Sequence, residues 1–144
     1  MATTWYTTGV ALALSGGLDV VNDQLDALAL DAVTTTPDNP DHEFIDDIVA
    51  DEVTDGSYAR VTLTNVALAV NATDNRAEID SDDIVFTALE NGGVSVKFIV
   101  IAQIVTTDAD SKLLTCHDTA DTVPDGTNLT YAPGSAGFAH GRTS

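Results

Sequence analysis

The segment "VSVKFIVIAQIVT", Val94 to Thr106, restricts the fold more than any other part of the chain. Apolar side chains fill most of it, and Lys97 and Gln103 interrupt it. A strand that is apolar on both faces is typically central in a sheet and covered on both sides. The segment therefore predicts a central strand in a β-rich core. The preceding "ENGG" predicts a hairpin that leads into this strand.

The rest of the chain contains shorter strand patterns that recur at intervals of about 8 to 12 residues, with turn residues between them. These patterns are "YARVTLT", "NVALAV", "RAEI", "IVFTAL", "KLLTCHD" and "NLTYA". The spacing predicts a mainly β fold, an antiparallel β-sandwich or jelly-roll-like single domain over residues 1–144. We expect an N-terminal arm with a short helix in 1–17, the sandwich in 18–132, and a C-terminal tail in 133–144.

The apolar positions change phase within this β-rich tract. Val61 and Leu63 are odd-numbered, whereas Leu68 and Val70 are even-numbered. A strand cannot change its inward face without a bulge or a turn, so we place a break at Thr64-Asn65. On this interpretation Val66, Leu68 and Val70 should point inward, and "NATDN" should be a tight turn.

The sequence pattern predicts the secondary structure of the first 50 residues less clearly. Thr3 to Leu14 could form a short helix that ends at Ser15-Gly16-Gly17. The next segment, "LDVVNDQLDALALDAV", fits either a helix or a strand by periodicity. After the loop "TTTPDNPD", the segment "HEFIDDI" fits one helical turn with Phe44, Ile45 and Ile48 pointing inward.

Charge narrows the classes of partner. The chain has 23 acidic and 5 basic residues, a net charge of −18, yet 44% of its residues are hydrophobic. This combination favours a folded core under an acidic surface, and that surface would repel nucleic acid and anionic membranes. Self-repulsion falls in concentrated salt, so the composition is typical of a protein that works in brine. We predict no signal peptide and no transmembrane segment, because Val10 to Leu14 is short and no basic residue precedes it.

Two clusters resemble chemical sites. Asp80, Asp82 and Asp83 could suit a hard cation, but the glycine and glutamate of a calcium loop are missing, so a solvated strand connection is the favoured interpretation. Cys116 and His117 are neighbours, and adjacent strand residues point to opposite faces, which argues against a nucleophile and its base.

We interpret Cys116 as a small buried side chain in phase with Leu114. A single cysteine also excludes an internal disulfide. The three histidines, His42, His117 and His140, lack ligand spacing. We treat the two glycosylation sequons, at Asn71 and Asn128, as chance matches. The sequence thus predicts no enzyme, no cofactor and no metal.

Trp5 and Tyr6 are the candidate interface residues. Aromatic side chains on a terminal segment either fasten that segment to its own core or anchor it on a neighbouring subunit. The sequence leaves both alternatives open.

Taken together, the segments resemble a family of small β-rich structural proteins encoded among the virion genes of tailed viruses. The resemblance runs from about Gly16 to Gly137, and "NRAEIDSDDIVFTAL" is its strongest part. The other similar phrases are "GGLDV", "DQLDALALDA", "EFIDDI", "DEV", "SYARVTLTN", "KFIVIAQ", "DADSKLL" and "DGTNLTYAPGSAG". The resemblance favours a strand at "DALAL" after a short helix. The ending "AGFAHGRTS" departs from the short apolar ending expected in such sequences.

What the resemblance implies is a non-enzymatic virion component, a capsid decoration, cement or turret-base protein that binds the major capsid protein or other virion proteins. The expected location is the virion, on the capsid surface rather than the tail, and the acidic surface suggests a halophilic, archaeal host. Such proteins form homo-oligomers, here a trimer, pentamer or hexamer. Partners are not expected to include nucleic acid or a membrane. The alternatives are a tail or baseplate protein and, from other classes, a secreted carbohydrate-binding module or a small enzyme.

Overall fold

The computed structural model describes residues 3–134 and 137–142. This part of the chain is mainly β, with antiparallel sheets and one short α-helix near the N-terminus. The predicted fold class is therefore confirmed, while the sandwich or jelly-roll arrangement stays a prediction. Residues 1–2 of the predicted arm and 135–136 and 143–144 of the predicted C-terminal tail lie outside the described residues.

The elements are short and follow one another closely. The helix α1 spans Thr7–Leu14, and two 3₁₀ helices span Ile45–Asp47 and Val49–Asp51. The strands are β1 (Thr3–Trp5), β2 (Leu25–Leu30), β3 (Val61–Thr62), β4 (Ala67–Asn71), β5 (Arg76–Asp80), β6 (Ile84–Phe86), β7 (Val96–Gln103), β8 (Lys112–Thr122), β9 (Leu129–Tyr131) and β10 (Ala139–Arg142).

Within the described residues, the largest sheet has five strands in the order β1-β8-β7-β2-β3. β7 is its central strand, as the apolar run predicted. Ile99 and Ile101 pack into one hydrophobic cluster and Val100 and Ala102 into a second cluster. Because neighbouring strand residues point to opposite faces, the two clusters lie on opposite faces of this sheet.

β2 resolves the ambiguous segment in favour of a strand. All six of its residues are buried, with Leu25 in the first cluster and Leu28 in the second. β2 lies between β7 and β3, and one hydrophobic cluster covers each of its faces, which explains why its sequence is mostly apolar and fits a helix as well as a strand.

Two smaller sheets complete the strands of the described chain. One has the order β10-β5-β4 and the other pairs β6 with β9. Ile79 and Phe86 from these sheets, and Phe138 just before β10, pack in the first cluster on one side of the large sheet. The second cluster is closed by Tyr6, Ile45 and Ile48, so the "HEFIDDI" turn is placed as predicted, with Phe44 only partly buried.

A β-bulge in β8 changes which residues share a face. Ile101 pairs with Thr115 and Ala102 pairs with Leu113, which leaves Leu114 as an extra residue. Leu114 consequently packs in the first cluster, and Cys116 packs with Leu113 in the second. Cys116 is buried, as expected, but the assignment of Cys116 and Leu114 to one face was wrong.

Several local predictions hold. The break at Thr64-Asn65 is confirmed, because Asn65 has a left-handed φ of 51° and the strands before and after it belong to different sheets. "NATDN" is the turn between β4 and β5, and the Asn71 side-chain oxygen accepts the backbone N–H groups of Thr73 and Asp74.

Three predictions are corrected. "ENGG" forms a turn, in which the N–H of Gly93 donates to the Glu90 carbonyl oxygen at 3.0 Å, but β6 pairs with β9 rather than with β7. The α-helix begins at Thr7, because Thr3–Trp5 is a strand paired with β8. The predicted C-terminal tail contains β10, which pairs with β5.

Candidate functional site

Tyr6 fastens the N-terminal segment to its own core. Its side chain is fully buried in the second cluster, and its hydroxyl donates to the Pro37 carbonyl oxygen. Burial raises the pKa of this hydroxyl far above its usual value. Of the two alternatives for Tyr6, the structure therefore shows the intramolecular one, and Tyr6 is not available as an interface residue.

Trp5 is placed differently. Its indole packs partly against the first cluster, and its Nε1–H donates to the His140 carbonyl oxygen at 3.1 Å. This bond ties the end of β1 to β10. Trp5 also lines a surface groove, so its role at an interface stays a prediction.

The groove lies between α1 and the sheet formed by β10, β5 and β4. Its volume is about 540 Å³. The helix contributes Val10, Ala13 and Leu14, and the sheet contributes Leu68, Ala77 and Ile79. We call this surface the apolar groove.

The position of α1 depends on a close approach to the bulge in β8. Gly9 is buried, and a Cβ atom at this position would lie 2.7 Å from the Leu114 carbonyl oxygen and 2.8 Å from its Cα. Only glycine lets the helix lie this close to the strand. The helix carries no charged residue and leaves Val10 and Leu14 exposed, the latter by 84%.

β4 forms an apolar edge beside the groove. It is the last strand of the β10-β5-β4 sheet, and Leu68 and Val70 are 58% and 83% exposed. The expectation that Val66, Leu68 and Val70 point into a core was therefore wrong for Leu68 and Val70. Their face is apolar, as predicted, but within the described residues no element covers it. We call Val66–Val70 the β4 edge.

The Cys116-His117-Asp118 triplet does not form a catalytic arrangement. Cys116 lies in the second cluster, where burial raises the pKa of its thiol to about 12. His117 faces the other way, and Asp118 is exposed. The divergence of Cys116 and His117 that the strand geometry predicted is confirmed.

His117 is instead the centre of a buried polar cluster. Its Nδ1 lies 3.1 Å from the Thr3 hydroxyl and 3.2 Å from the Tyr131 hydroxyl, and its Nε2 lies 3.0 Å from the Thr115 hydroxyl. The ring is fully buried, and burial lowers its pKa to about 4. We conclude that a neutral imidazole joins β1, β8 and β9.

The aspartates of "DSDD" are exposed and take part in local bonds. The Asp82 carboxylate accepts from the Thr64 hydroxyl at 2.9 Å and from the Asn65 side-chain amide at 2.7 Å. Across residues 3–134 and 137–142, no group of three or more His, Cys, Asp or Glu side chains is arranged to hold a metal ion.

Arg60 forms an ion-pair network that the sequence did not reveal. Its guanidinium contacts the Glu52 carboxylate at 2.6 Å and the Asp108 carboxylate at 2.6 Å, and Tyr58 donates to Glu52 at 2.8 Å. The network joins the segment from Glu52 to Arg60 to Asp108, which lies 48 residues after Arg60. The sequence gives no signal of which acidic residues Arg60 contacts, so sequence reasoning missed the network.

Comparisons with protein-family models, with curated proteins and with solved structures found no match for this chain. The resemblance to virion proteins thus rests on the sequence phrases alone. Among the described helices, none is long and apolar enough to cross a membrane.

Proposed function

We propose that this chain is a non-enzymatic structural component of a tailed virus particle, a capsid decoration, cement or turret-base protein that binds the major capsid lattice. The observation that supports this proposal best is the apolar groove, which is exposed on a chain whose net charge is −18. On such a chain, a continuous uncharged surface is most simply explained by contact with another protein.

The construction of the groove fits a docking role. Trp5 is held by its bond to β10, and α1 is held by the close contact of Gly9 with β8. The walls are therefore fixed before a partner arrives, which lowers the entropic cost of binding. Leu14 projects from the rim and is available to enter a pocket on the partner.

A carbohydrate-binding module is less well supported. Such modules stack sugars on exposed aromatic rings, and the candidates here were Trp5, Tyr6, Tyr58 and Tyr131. Tyr6 and Tyr131 are buried. Tyr58 stacks on Phe86 with ring centroids 5.9 Å apart, and its hydroxyl donates to Glu52. The rings of Tyr6, Tyr58 and Tyr131 therefore make their contacts within the fold.

The proposal is tested by copy number in purified virus particles. We expect the chain in hundreds of copies on tailless heads, as measured by quantitative mass spectrometry. Copies found only on isolated tails would favour the tail or baseplate alternative and overturn the capsid assignment. Absence from particles would overturn both virion roles.

A binding experiment identifies the docking surface. Leu14→Asp should weaken binding of the purified chain to empty heads by about tenfold or more, because a charge replaces an exposed apolar side chain that the partner would bury. Val33→Asp is the matched control, since Val33 is 77% exposed and lies outside the groove. Equal loss in both variants would show that added charge, and not the groove, weakens binding.

Adaptation to brine gives a separate prediction. Self-repulsion among the 23 acidic residues should fall as the Debye length shrinks to about 3 Å at 1 M salt. We therefore expect the thermal unfolding midpoint to rise steadily with sodium chloride, as measured by circular dichroism. A midpoint that does not change with salt would remove the argument for a halophilic host and leave the virion role unaffected.

A further inference from the structure

The β4 edge lacks the devices that normally protect an edge strand. Natural edge strands carry lysine, proline, charged inward-pointing residues or bulges that prevent pairing with another chain. Val66–Val70 contains none of these residues and reads Val-Ala-Leu-Ala-Val. Its pairing with β5 is regular, with successive partners from Ala67↔Asp80 to Asn71↔Arg76. Along the edge of β4 that faces away from β5, the backbone N–H and C=O groups therefore have no neighbouring strand in the described chain.

The sequence of this edge is symmetric about Leu68. In an antiparallel pair of two such strands centred on Leu68, each Leu68 lies opposite the other, Ala67 lies opposite Ala69 of the second copy, and Val66 lies opposite Val70. A two-fold interface requires this kind of self-complementarity, because the same patch serves both copies. Every cross-strand pair is then apolar and matched in size across the axis.

The charge distribution leaves this strand open to a second copy of the chain. The segment from Val66 to Thr73 contains no ionisable side chain in a chain with 23 acids. A basic partner would find no carboxylate on the strand itself. Two acidic copies can approach each other at a neutral strand, and they repel each other at most other surfaces.

The face geometry connects this edge with the groove. Leu68 pairs with Ile79 and Val70 pairs with Ala77, so these side chains share one face of the sheet, the face that lines the groove. On the opposite face, Ala69 pairs with Glu78, whose carboxylate contacts the Arg76 guanidinium at 2.5 Å. Glu78 is therefore partly neutralised within its own chain, and Asp80, which pairs with Ala67 on the same face, is exposed to solvent.

We propose that two copies of this chain pair through antiparallel β4 strands about a two-fold axis at Leu68, which joins the two β10-β5-β4 sheets into one continuous sheet. The two apolar grooves then lie on the same face of this sheet, on either side of the axis. This inference does not rest on the virion role. It adds a two-fold contact that differs from the trimer, pentamer or hexamer expected from the resemblance.

The test uses the purified full chain in molar salt and, for the charged variants, also at about 0.15 M salt, where charges that face each other across the axis are screened less. Sedimentation equilibrium should show reversible association from 15.0 kDa to twice that mass as concentration rises. Leu68→Lys and Leu68→Asp should each be monomeric, because each places two like charges opposite one another at the axis. A mixture of the two variants should recover the dimer, because lysine then faces aspartate.

Val123→Lys is the matched control, since Val123 is 60% exposed and lies after β8, outside the β4 edge. It should dimerise like the unchanged chain. Circular dichroism melts establish that the Leu68 variants are folded. A chain that stays monomeric at all concentrations would overturn the proposal and leave the edge to another virion protein. Leu68 variants that dimerise normally, or that do not recover the dimer on mixing, would overturn pairing at this axis.

Discussion

Gly137→Ala is expected to destabilise the chain by about 3 kcal/mol and to detach β10 from β5. Gly137 has a left-handed φ of 73°, which costs an alanine about 1 kcal/mol. The added Cβ would also overlap the Ile79 carbonyl oxygen and lie 2.7 Å from the Ile79 carbonyl carbon. Both atoms belong to the backbone of a paired strand, so the clash cannot be relieved by a rotamer change, and overpacking adds about 1–3 kcal/mol.

The consequences should extend to the apolar groove. Phe138 is buried next to Gly137, and its N–H donates to the Ile79 carbonyl oxygen at 2.9 Å. If β10 moves, Trp5 loses the His140 carbonyl oxygen as its acceptor. Because Trp5 is the single tryptophan of the chain, its fluorescence should shift to longer wavelength in the folded variant.

Gly134→Ala is the matched control for this substitution. A Cβ at Gly134 has open space around it, and its φ is not in the left-handed region. Urea unfolding should therefore give a free energy within about 0.5 kcal/mol of the unchanged chain, as for ordinary surface positions. Equal stability of the two variants would contradict the close contact between Gly137 and β5.

The predictions that succeeded concern segments whose environment follows from their own composition. The run through β7 is apolar at consecutive positions, and such a strand is stable only where both faces are covered. The reversals at "NATDN" and "ENGG" were visible because Asn and Gly favour tight turns, whatever the distant partners are. In each case the determining interactions are local.

The predictions that failed required knowledge of distant partners. A turn such as "ENGG" does not determine whether its flanking strands pair, and β6 instead pairs with β9, more than 40 residues away along the chain. β10 was missed because its Gly-rich segment has no strand pattern, although Phe138 was an available signal of a buried anchor. Alternation in "NVALAV" identified an apolar face, but periodicity does not reveal whether another element covers that face.

The residues of the candidate site also fall into two groups, those that the sequence could identify and those whose role depends on distant contacts. Trp5 was identified from its type and its terminal position, and it does line the groove. The role of Gly9 was not accessible, because it depends on a bulge in β8 that only the pairing of β7 with β8 creates. Leu14 and Leu68 come together from segments more than 50 residues apart, so the groove follows from tertiary structure alone.

Acidification from pH 6.5 to pH 4 is expected to remove about 3 kcal/mol of folding free energy through His117 alone. The imidazole has a pKa of about 4 in the folded chain, because burial disfavours its charged form, and 6.5 in the unfolded chain. Between these values the unfolded chain binds more protons than the folded one, so stability falls as the pH falls. Below the folded pKa both states are protonated and the contribution stays lost. The difference between the two pKa values corresponds to about 3 kcal/mol.

The structural consequence should begin at the N-terminus. The Thr3 hydroxyl contacts His117 at 3.1 Å, and Thr3 and His117 are paired residues of β1 and β8. β1 has three residues and continues directly into Tyr6 and α1, one wall of the apolar groove. A charge on the buried ring therefore disfavours the docked position of the segment that forms the groove.

A comparison of variants isolates this contribution from the titration of the acidic residues, which is common to all of them. His117→Gln removes the ionisable ring. The free energy of unfolding of each variant is measured with urea at a series of pH values. Between pH 6.5 and pH 4, the decrease for His117→Gln should be about 3 kcal/mol smaller than the decrease for the unchanged chain. His140→Gln is the control, because His140 is exposed, and it should retain the full dependence. The ring signals of His117 in proton NMR should titrate near pH 4 while the fold persists. Equal pH dependence in the His117 variant and the unchanged chain would show that the buried imidazole is not what makes the fold sensitive to acid.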